Sequence, residues 1–129
     1  MAKYGSGSAT FTFGGTSITQ HVDTVNGLRV ESLLVDPSHT FGDTWLERLD
    51  TTIKQHEDIV LEGWYDDTAA TGPQALLSTT GGAGSTFVYN PGGSNSRTVT
   101  AIPVKWEVMM PRGEMTRYRA TLRPTGAVT

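Results

Sequence analysis

The chain of 129 residues contains no cysteine. Disulfide bonds, thiolate metal sites and cysteine nucleophiles are therefore excluded, and nothing in the composition points to an oxidising compartment. The chain also lacks any apolar run near the roughly 18 residues that a membrane-spanning helix needs, and its N-terminus has no signal-peptide pattern. We expect one soluble domain over residues 1–129, made in the cytoplasm and without a membrane anchor.

Basic residues are scarce in the first three quarters of the chain. Residues 1–96 carry eleven acidic and four basic side chains, whereas residues 97–129 carry two acidic and six basic ones. A protein with a net charge of -3 is a poor general binder of a phosphate backbone. Segments of opposite sign instead suit a protein that docks onto copies of itself.

Alternating apolar and polar residues predict strands along most of the chain. The predicted strands comprise residues 8–13, 16–24, 28–35, 59–65 and 85–90. The Gly14-Gly15 pair predicts a turn after the first strand, and a slip of the apolar phase near Ser32 predicts a β-bulge. Residues 59–65 carry apolar side chains on both faces, which is typical of a covered central strand.

The last third of the chain predicts a long β-hairpin, with arms over residues 98–110 and 115–123. Its alternation assigns one apolar face to Ile102, Val104, Trp106, Val108, Met110, Tyr118, Ala120 and Leu122. The opposite face carries Arg117, Arg119 and Arg123. An arm of 13 residues spans about 40 Å, so we expect it to continue into a barrel, a neighbouring subunit or an extended sheet.

Two capping boxes predict short helices. Thr44 with Glu47 begins a predicted amphipathic helix that continues to Ile53, and Thr71 with Gln74 begins a second helix of one or two turns. The large side chains assigned to the core are Trp45, Leu49, Trp64 and Trp106.

No residue pattern supports catalysis, a metal or a cofactor. His21, His39 and His56 lie in separate segments without zinc-site spacing. Asp66 and Asp67 are adjacent in an extended segment and point opposite ways, so we interpret them as the polar end of a strand and not as a cation site. The glycine-rich stretches lack phosphate-loop patterns and are interpreted as turns.

The arginine face allows two interpretations. Arg117 and Arg119 flank Tyr118, which is compatible with a basic, aromatic nucleic-acid strip. Tyr118 points away from both arginines on a strand, however, so no stacking surface alternates with the cations. A solvated or inter-subunit charged face is the favoured interpretation.

The segments HTFGDTW, LEGWYDD and TGPQALL, followed by a hairpin that ends in ATLRPTGAV, occur in an order that resembles the major tail (tail tube) proteins of long-tailed bacteriophages and phage-like particles. The resemblance extends over about residues 16–128 and is weakest over residues 78–96. It implies a mainly β fold, a two-sheet β-sandwich or partial barrel with one short flanking α-helix and a long C-terminal hairpin. No catalytic residue, metal or cofactor belongs to this family, so none is carried over.

The resemblance also implies how the protein works. Homo-hexameric rings would stack into a tube in the virion tail, with other tail proteins as partners and double-stranded DNA passing through the lumen without specific binding. Candidate ring-to-ring contacts lie in residues 36–42, 66–72 and 81–96. The candidate inter-subunit or ring-stacking residues are Asp36, His39, Thr40, Phe41, Asp66, Asp67, Arg117, Arg119 and Arg123.

Arginines without an acidic partner in such a lumen would bind the passing DNA duplex. We therefore expect the three arginines of the hairpin either to face away from the bore or to pair with acidic side chains. Two alternatives remain: a stand-alone β-sandwich module that binds a glycan or a peptide, and another virion part such as a tail terminator or head decoration protein.

Overall fold

The computed structural model describes residues 5–35, 49–126 and 128–129. Seven strands form an antiparallel sheet in the order β2-β1-β7-β8-β9-β6-β3, and β4 and β5 form a separate two-stranded sheet. The elements are β1 (Thr10–Phe13), β2 (Thr16–Ser17), β3 (Thr24–Asn26), β4 (Val30–Val35), β5 (Leu49–His56), β6 (Ile59–Trp64), α1 (Pro73–Leu77), β7 (Ser85–Asn90), β8 (Arg97–Met109) and β9 (Arg117–Thr125). The predicted fold class, mainly β with two sheets, a short helix and a long C-terminal hairpin, is confirmed.

The turn between β1 and β2 is the predicted Gly14-Gly15 pair. Both glycines have positive φ values, +60° and +85°, and this left-handed conformation matches the twist of a two-residue hairpin. Phe13 pairs with Thr16 directly across the turn.

The extended segment predicted over residues 16–24 is interrupted by a 3-10 turn at Thr19–His21. The hydroxyl oxygen of Thr19 accepts a hydrogen bond from the Phe11 N–H at 2.9 Å, and the same hydroxyl lies 3.2 Å from the Phe11 carbonyl oxygen, to which it donates. The Thr19 side chain thus makes the hydrogen bonds to Phe11 that the backbone of a paired strand would make, and the chain turns at this point.

The long hairpin is present, but its first arm contains a bulge. Pro103 pairs with Leu122 and Lys105 pairs with Thr121, so Val104 is an extra residue on β8. Because a bulge shifts the side-chain phase by one residue, the predicted place of Ile102 on the apolar face is wrong, and Ile102 pairs with Arg123 on the opposite face. The core-facing residues of β8 are Val99, Ala101 and Pro103 before the bulge, and Trp106 and Val108 after it.

Strands β4 and β5 form a hairpin of their own. The prediction of a helix that continues to Ile53 is wrong, since Leu49–His56 is a strand; the run Thr51-Thr52-Ile53 is β-branched and prefers extended backbone. The Thr44 capping box, Trp45 and Leu46 lie outside the described residues. The bulge predicted near Ser32 is confirmed, as the pairing shifts between Ser32 and Leu34.

The second predicted helix is confirmed as α1, although its cap differs. Gly72 is the N-cap residue and no side chain caps the helix, so the capping box from Thr71 does not form. A Cβ atom at Gly72 would lie 2.8 Å from the Asp66 carbonyl oxygen and 2.9 Å from that of Thr68. The tight backbone approach therefore selects glycine at this position.

One face of the seven-stranded sheet supplies the core. Tyr118 is fully buried at its centre, where its ring stacks on Trp106 at 5.2 Å and its hydroxyl donates to the His21 carbonyl oxygen at 2.5 Å. Leu77 of α1 packs over this face. The buried set consists of Phe13, Ile18, Ile59, Leu61, Leu77, Phe87, Val99, Ala101, Tyr118, Ala120 and Leu122.

Strand β6 is covered on one face only. Ile59 and Leu61 are buried, but the outward-facing Trp64 is 43% exposed. The predictions of a strand covered on both faces and of Trp64 in the core are therefore wrong, whereas Trp106 packs against the core as predicted. The difference arises because Trp64 points to the outer face of the sheet, where its cross-strand neighbour is Arg117.

Replacing Gly63 with alanine is expected to destabilise the fold by about 3 kcal/mol, because the new Cβ would lie 1.9 Å from the His21 carbonyl oxygen. Chemical denaturation at neutral pH measures the loss. Gly7→Ala is the matched control, since a Cβ atom there meets nothing within 4 Å. Equal stability of the two variants would contradict the close approach.

Replacing Tyr118 with phenylalanine is expected to cost about 1 kcal/mol at pH 7, since the ring stays and one hydrogen bond is lost. Burial raises the pKa of the Tyr118 phenol above its usual 10.0, so the folded state disfavours the phenolate. The wild-type protein should therefore lose stability as the pH rises above 10.0, and Tyr118→Phe should flatten that alkaline limb. Urea titrations across the pH range measure both effects, and parallel alkaline limbs would contradict a buried neutral phenol.

Candidate assembly surface

The outer face of the sheet, opposite the core, is polar and charged. Residues of β9 alternate between the two faces, so that Tyr118, Ala120 and Leu122 point into the core while Arg117, Arg119 and Arg123 point outward, as predicted. The neighbouring strands β6 and β8 bring acidic side chains to the same face. We call this surface the charged face and define it by the three outward arginines and their acidic partners.

Arg117 is held by an acid and an aromatic ring. Its guanidinium donates to both carboxylate oxygens of Asp23, at 2.9 and 2.8 Å, and lies 4.7 Å from the centroid of the Trp64 ring. Trp64 is the direct cross-strand neighbour of Arg117 on β6. The Nη2 atom, which contacts both carboxylate oxygens, and the cation–π contact together fix the orientation of this side chain.

Arg119 lies between two acids. Its Nε atom donates to Glu62 at 2.5 Å, and its Nη1 atom lies 3.6 Å from Glu107, which also contacts Lys105 at 3.0 Å. The hydrogen bond to Glu62 raises the pKa of the Arg119 guanidinium. The hydrogen bond from Lys105 holds the pKa of Glu107 below its usual value.

Arg123 completes the set at the other end of β9. It contacts Asp58 through Nε at 3.2 Å and Nη2 at 3.1 Å, and this contact raises the pKa of the guanidinium. Each of the three arginines therefore has an acidic partner within the chain, which confirms the expectation of pairing. Exposed ion pairs contribute little stability individually, so their main effect is to cancel the positive charge of the charged face.

Asp66 and Asp67 follow β6 in the loop that leads to α1. The Asp66 carboxylate accepts hydrogen bonds from the Thr68 hydroxyl at 2.5 Å and the Thr68 N–H at 2.8 Å, which lower its pKa. This arrangement is an Asx turn, and it fits the interpretation of a polar strand end. The Asp67 side chain has no ion pair or hydrogen bond with any described residue.

The turn of the long hairpin lies beside that loop, at what we call the turn end of the sheet. It contains Pro111–Glu114 and is flanked by Met110 and Met115, which are 77% and 65% exposed. Within the described chain, the Glu114 side chain has no partner. The turn end thus combines exposed apolar side chains with unpaired acidic groups.

A cleft of about 800 Å³ lies at the opposite end of the sheet, between the base of the β4–β5 hairpin and the first residues of β8. Lys54 and Arg97 line it, and neither has a charged or hydrogen-bonded partner among the described residues. The Nδ1 atom of His56 lies 2.7 Å from the Glu57 carbonyl oxygen, whereas its Nε2 atom is buried without a partner in the described structure. The remaining walls include the apolar side chains of Val30, Tyr89 and Val128.

A metal centre does not emerge from the described residues. No group of three histidine or acidic side chains there is close enough to hold an ion, and His21 and His56 lie in different parts of the fold. No helix in the described ranges is both long and apolar enough to cross a bilayer.

The structure places the residues predicted from the sequence on different surfaces, and some of them lie outside the described residues. Asp66 and Asp67 lie at the turn end and the three arginines on the charged face, whereas Asp36, His39, Thr40 and Phe41 lie outside the described residues. Sequence reasoning missed Lys54, His56 and Arg97, which lie far apart in the chain and carry no local motif. The usable signals for the β4–β5 hairpin were the alternation that predicted the strand over residues 28–35 and the β-branched run in β5.

No protein-family model and no curated protein sequence matches the chain. Its structure nevertheless resembles a chain in the tail of an empty gene transfer agent (GTA) particle determined with C6 symmetry, with a TM-score of 0.73, 14% identity and 98% of each chain covered. A chain in the virion of the native GTA particle gives a TM-score of 0.74 at 12% identity, again with 98% of each chain covered. The chain therefore shares the fold of chains found in phage-like tail particles.

The same fold occurs beyond GTA particles. A chain in the sheath/tube terminator of PVC, an extracellular contractile injection system, has a TM-score of 0.73 at 13% identity, with 100% of this chain and 96% of that chain covered. Because the match extends over the whole length, it includes the hairpins as well as the sheet. At such low identity the match shows a shared fold and assigns no role to any residue.

Releasing arginines from their acids is expected to create DNA affinity on the charged face. The double variant Asp23→Asn/Asp58→Asn frees Arg117 and Arg123, and we expect it to bind a short DNA duplex roughly tenfold more tightly at low salt, with a steeper salt dependence. Fluorescence anisotropy with a labelled duplex measures this.

The matched control is Asp67→Asn/Glu114→Gln. It changes the net charge of the protein by the same amount but releases no arginine, since neither acid has a partner in the described structure. Equal DNA affinity of the two double variants would show that overall charge, and not the pairing of the charged face, controls the interaction.

Proposed function

We propose that the protein is a tail tube subunit, whose copies form rings that stack into a tube in the tail of a phage-like particle. The observation that carries this proposal is the match to the GTA tail chain over 98% of both chains. The tail in that structure was determined with C6 symmetry, and we infer a homo-hexameric ring for this chain.

The surfaces of the subunit support assembly. The β4–β5 hairpin pairs with no other described strand, and it exposes Val30, Leu33, Leu34 and Ile53. Exposed apolar side chains concentrated on one projecting element are typical of an interaction surface. A ring also pairs sheet edges that would otherwise be open to aggregation, and β2 and β3 are such edges here.

The dimensions of a ring are compatible with a DNA conduit. If six subunits each contributed four strands, 24 strands at about 4.8 Å spacing and about 40° tilt would close at a backbone diameter of about 48 Å. Side chains would narrow the bore to about 35–40 Å, which admits a B-form duplex of roughly 20 Å.

The charged face suits the wall of such a conduit. Its arginines are neutralised by acids of the same chain, so a passing duplex would meet little net attraction. DNA would therefore move through the tube without specific binding. The proposed function involves no catalytic step, metal or cofactor, and the other partners are further tail proteins.

We keep the proposed role in ring stacking for those predicted residues whose position is compatible with it. Asp66 and Asp67 lie at the turn end, which is exposed and contains unpaired acid. Arg117, Arg119 and Arg123 pair within the chain, and we therefore assign them to the conduit wall rather than to ring stacking. Asp36, His39, Thr40 and Phe41 stay candidates for the ring-to-ring contact.

A tail terminator is the second candidate. The PVC sheath/tube terminator structure contains a chain as similar to this protein as the GTA tail chain is, and another match comes from the tube-terminating cap of the anti-feeding prophage, with a TM-score of 0.68 at 13% identity. A terminator would form a closed ring that does not stack without limit.

Negative-stain electron microscopy of the purified protein across a concentration series, with light scattering on the same samples, separates these functions. We expect hollow tubes of uniform width, whose length increases with concentration. Closed rings that never elongate would favour the terminator, and a persistent monomer that binds a glycan array would favour the stand-alone binding module. Either result would overturn the tube proposal.

A further inference from the structure

The two ends of the sheet carry unpaired charges of opposite sign. Strand β8 contains 13 residues, so about 40 Å separates Arg97 at its start from the hairpin turn at its far end. Most charged side chains between the two ends are paired with each other, as on the charged face. Unpaired charge in the described chain is concentrated at the two ends.

The cleft end is basic. Lys54 and Arg97 line the cleft, and no acidic side chain lines it among the described residues. The His56 ring also lines the cleft; because its Nδ1 atom faces the Glu57 carbonyl oxygen, the Nε2 atom is an acceptor, and it is buried without a partner in the described structure. The exposed charged groups of the cleft are therefore those of Lys54 and Arg97.

The turn end is acidic on balance. It presents Asp66, Asp67 and Glu114, against the single basic side chain of Arg112. The turn Pro111–Glu114 is exposed and is flanked by the exposed Met110 and Met115. The carboxylate of Glu114 and the flanking apolar side chains complement the cations and the apolar walls of the cleft.

We propose that the cleft of one copy receives the hairpin turn of a second copy, with Glu114 against Lys54 and Arg97. The proposal rests on the proposed tube function, to which it adds the residues that join one ring to the next. Because the donor and the receptor lie at opposite ends of the same chain, the contact is head-to-tail and does not close, and repetition of it extends a stack. Opposite charges also set the direction in which copies dock.

Crosslinking tests the contact directly, because the chain has no cysteine of its own. Gln55→Cys places a thiol in the cleft wall and Met115→Cys places one beside the turn, and both leave the proposed charged partners intact. We expect a short bis-maleimide to link these two variants when they are mixed. Thr86→Cys, on an exposed residue in the middle of the sheet, is the control partner for Gln55→Cys. A yield for the first pair no higher than for the control pair would overturn the proposal.

Charge reversal tests whether the charges drive stacking. Lys54→Glu/Arg97→Glu and Asp67→Lys/Glu114→Lys should each reduce tube length at least tenfold in electron micrographs, while circular dichroism confirms folding. Combining all four changes restores complementarity, so we expect stacking of the combined variant with itself to recover. Full-length tubes from Lys54→Glu/Arg97→Glu alone would overturn the docking proposal and leave the tube function standing. If the cleft pair crosslinks although the protein forms no tubes, the docking contact is supported and the tube function is rejected.

Discussion

The hydrogen bond from the Tyr118 hydroxyl to the His21 carbonyl oxygen joins three parts of the fold. It connects β9 to the segment before β3, it passes over Gly63 of β6, and the same ring stacks on Trp106 of β8. Such a contact fixes the register of β9 between its two neighbours. Because side chains alternate along a strand, a fixed position for Tyr118 also fixes Arg117 and Arg119 on the opposite face, each beside an acid. The core and the charged face are thus two consequences of one register.

The surfaces of the subunit differ in how much unpaired charge they carry, and therefore in how strongly each can attract another molecule. On the charged face, partners within the chain satisfy the arginines, so little attraction is left for another molecule. At the two ends, Lys54, Arg97, Asp67 and Glu114 have no partner among the described residues, and apolar side chains lie exposed beside them. The wall of a conduit must not bind the DNA that passes along it, whereas a contact between subunits must be stable. The charged face meets the first requirement, and the two ends of the sheet meet the second.

Local patterns predicted much of the fold. The strand Ser85–Asn90, the Gly14-Gly15 turn and the long hairpin follow from alternation and turn chemistry, which act over a few residues. Local patterns also failed: the bulge at Val104 changed the phase of β8, and the end of the predicted helix proved to be strand β5. In addition, a 3-10 turn interrupts the segment predicted over residues 16–24, and β6 is covered on one face only. The first two failures involve pairing with another strand, and pairing overrides weak local preference.

The candidate surfaces likewise divide into features that local patterns predict and features that depend on the whole fold. Local patterns were enough to predict the mainly β class, the turns and the shared outward face of three arginines, because alternation and turn preference are properties of neighbouring residues. The pairing of those arginines with Asp23, Asp58 and Glu62, and the meeting of Lys54, His56 and Arg97 in one cleft, depend on tertiary packing. Residues in these groups are up to 94 positions apart, and strand order and register, which depend on packing of the whole core, bring them together.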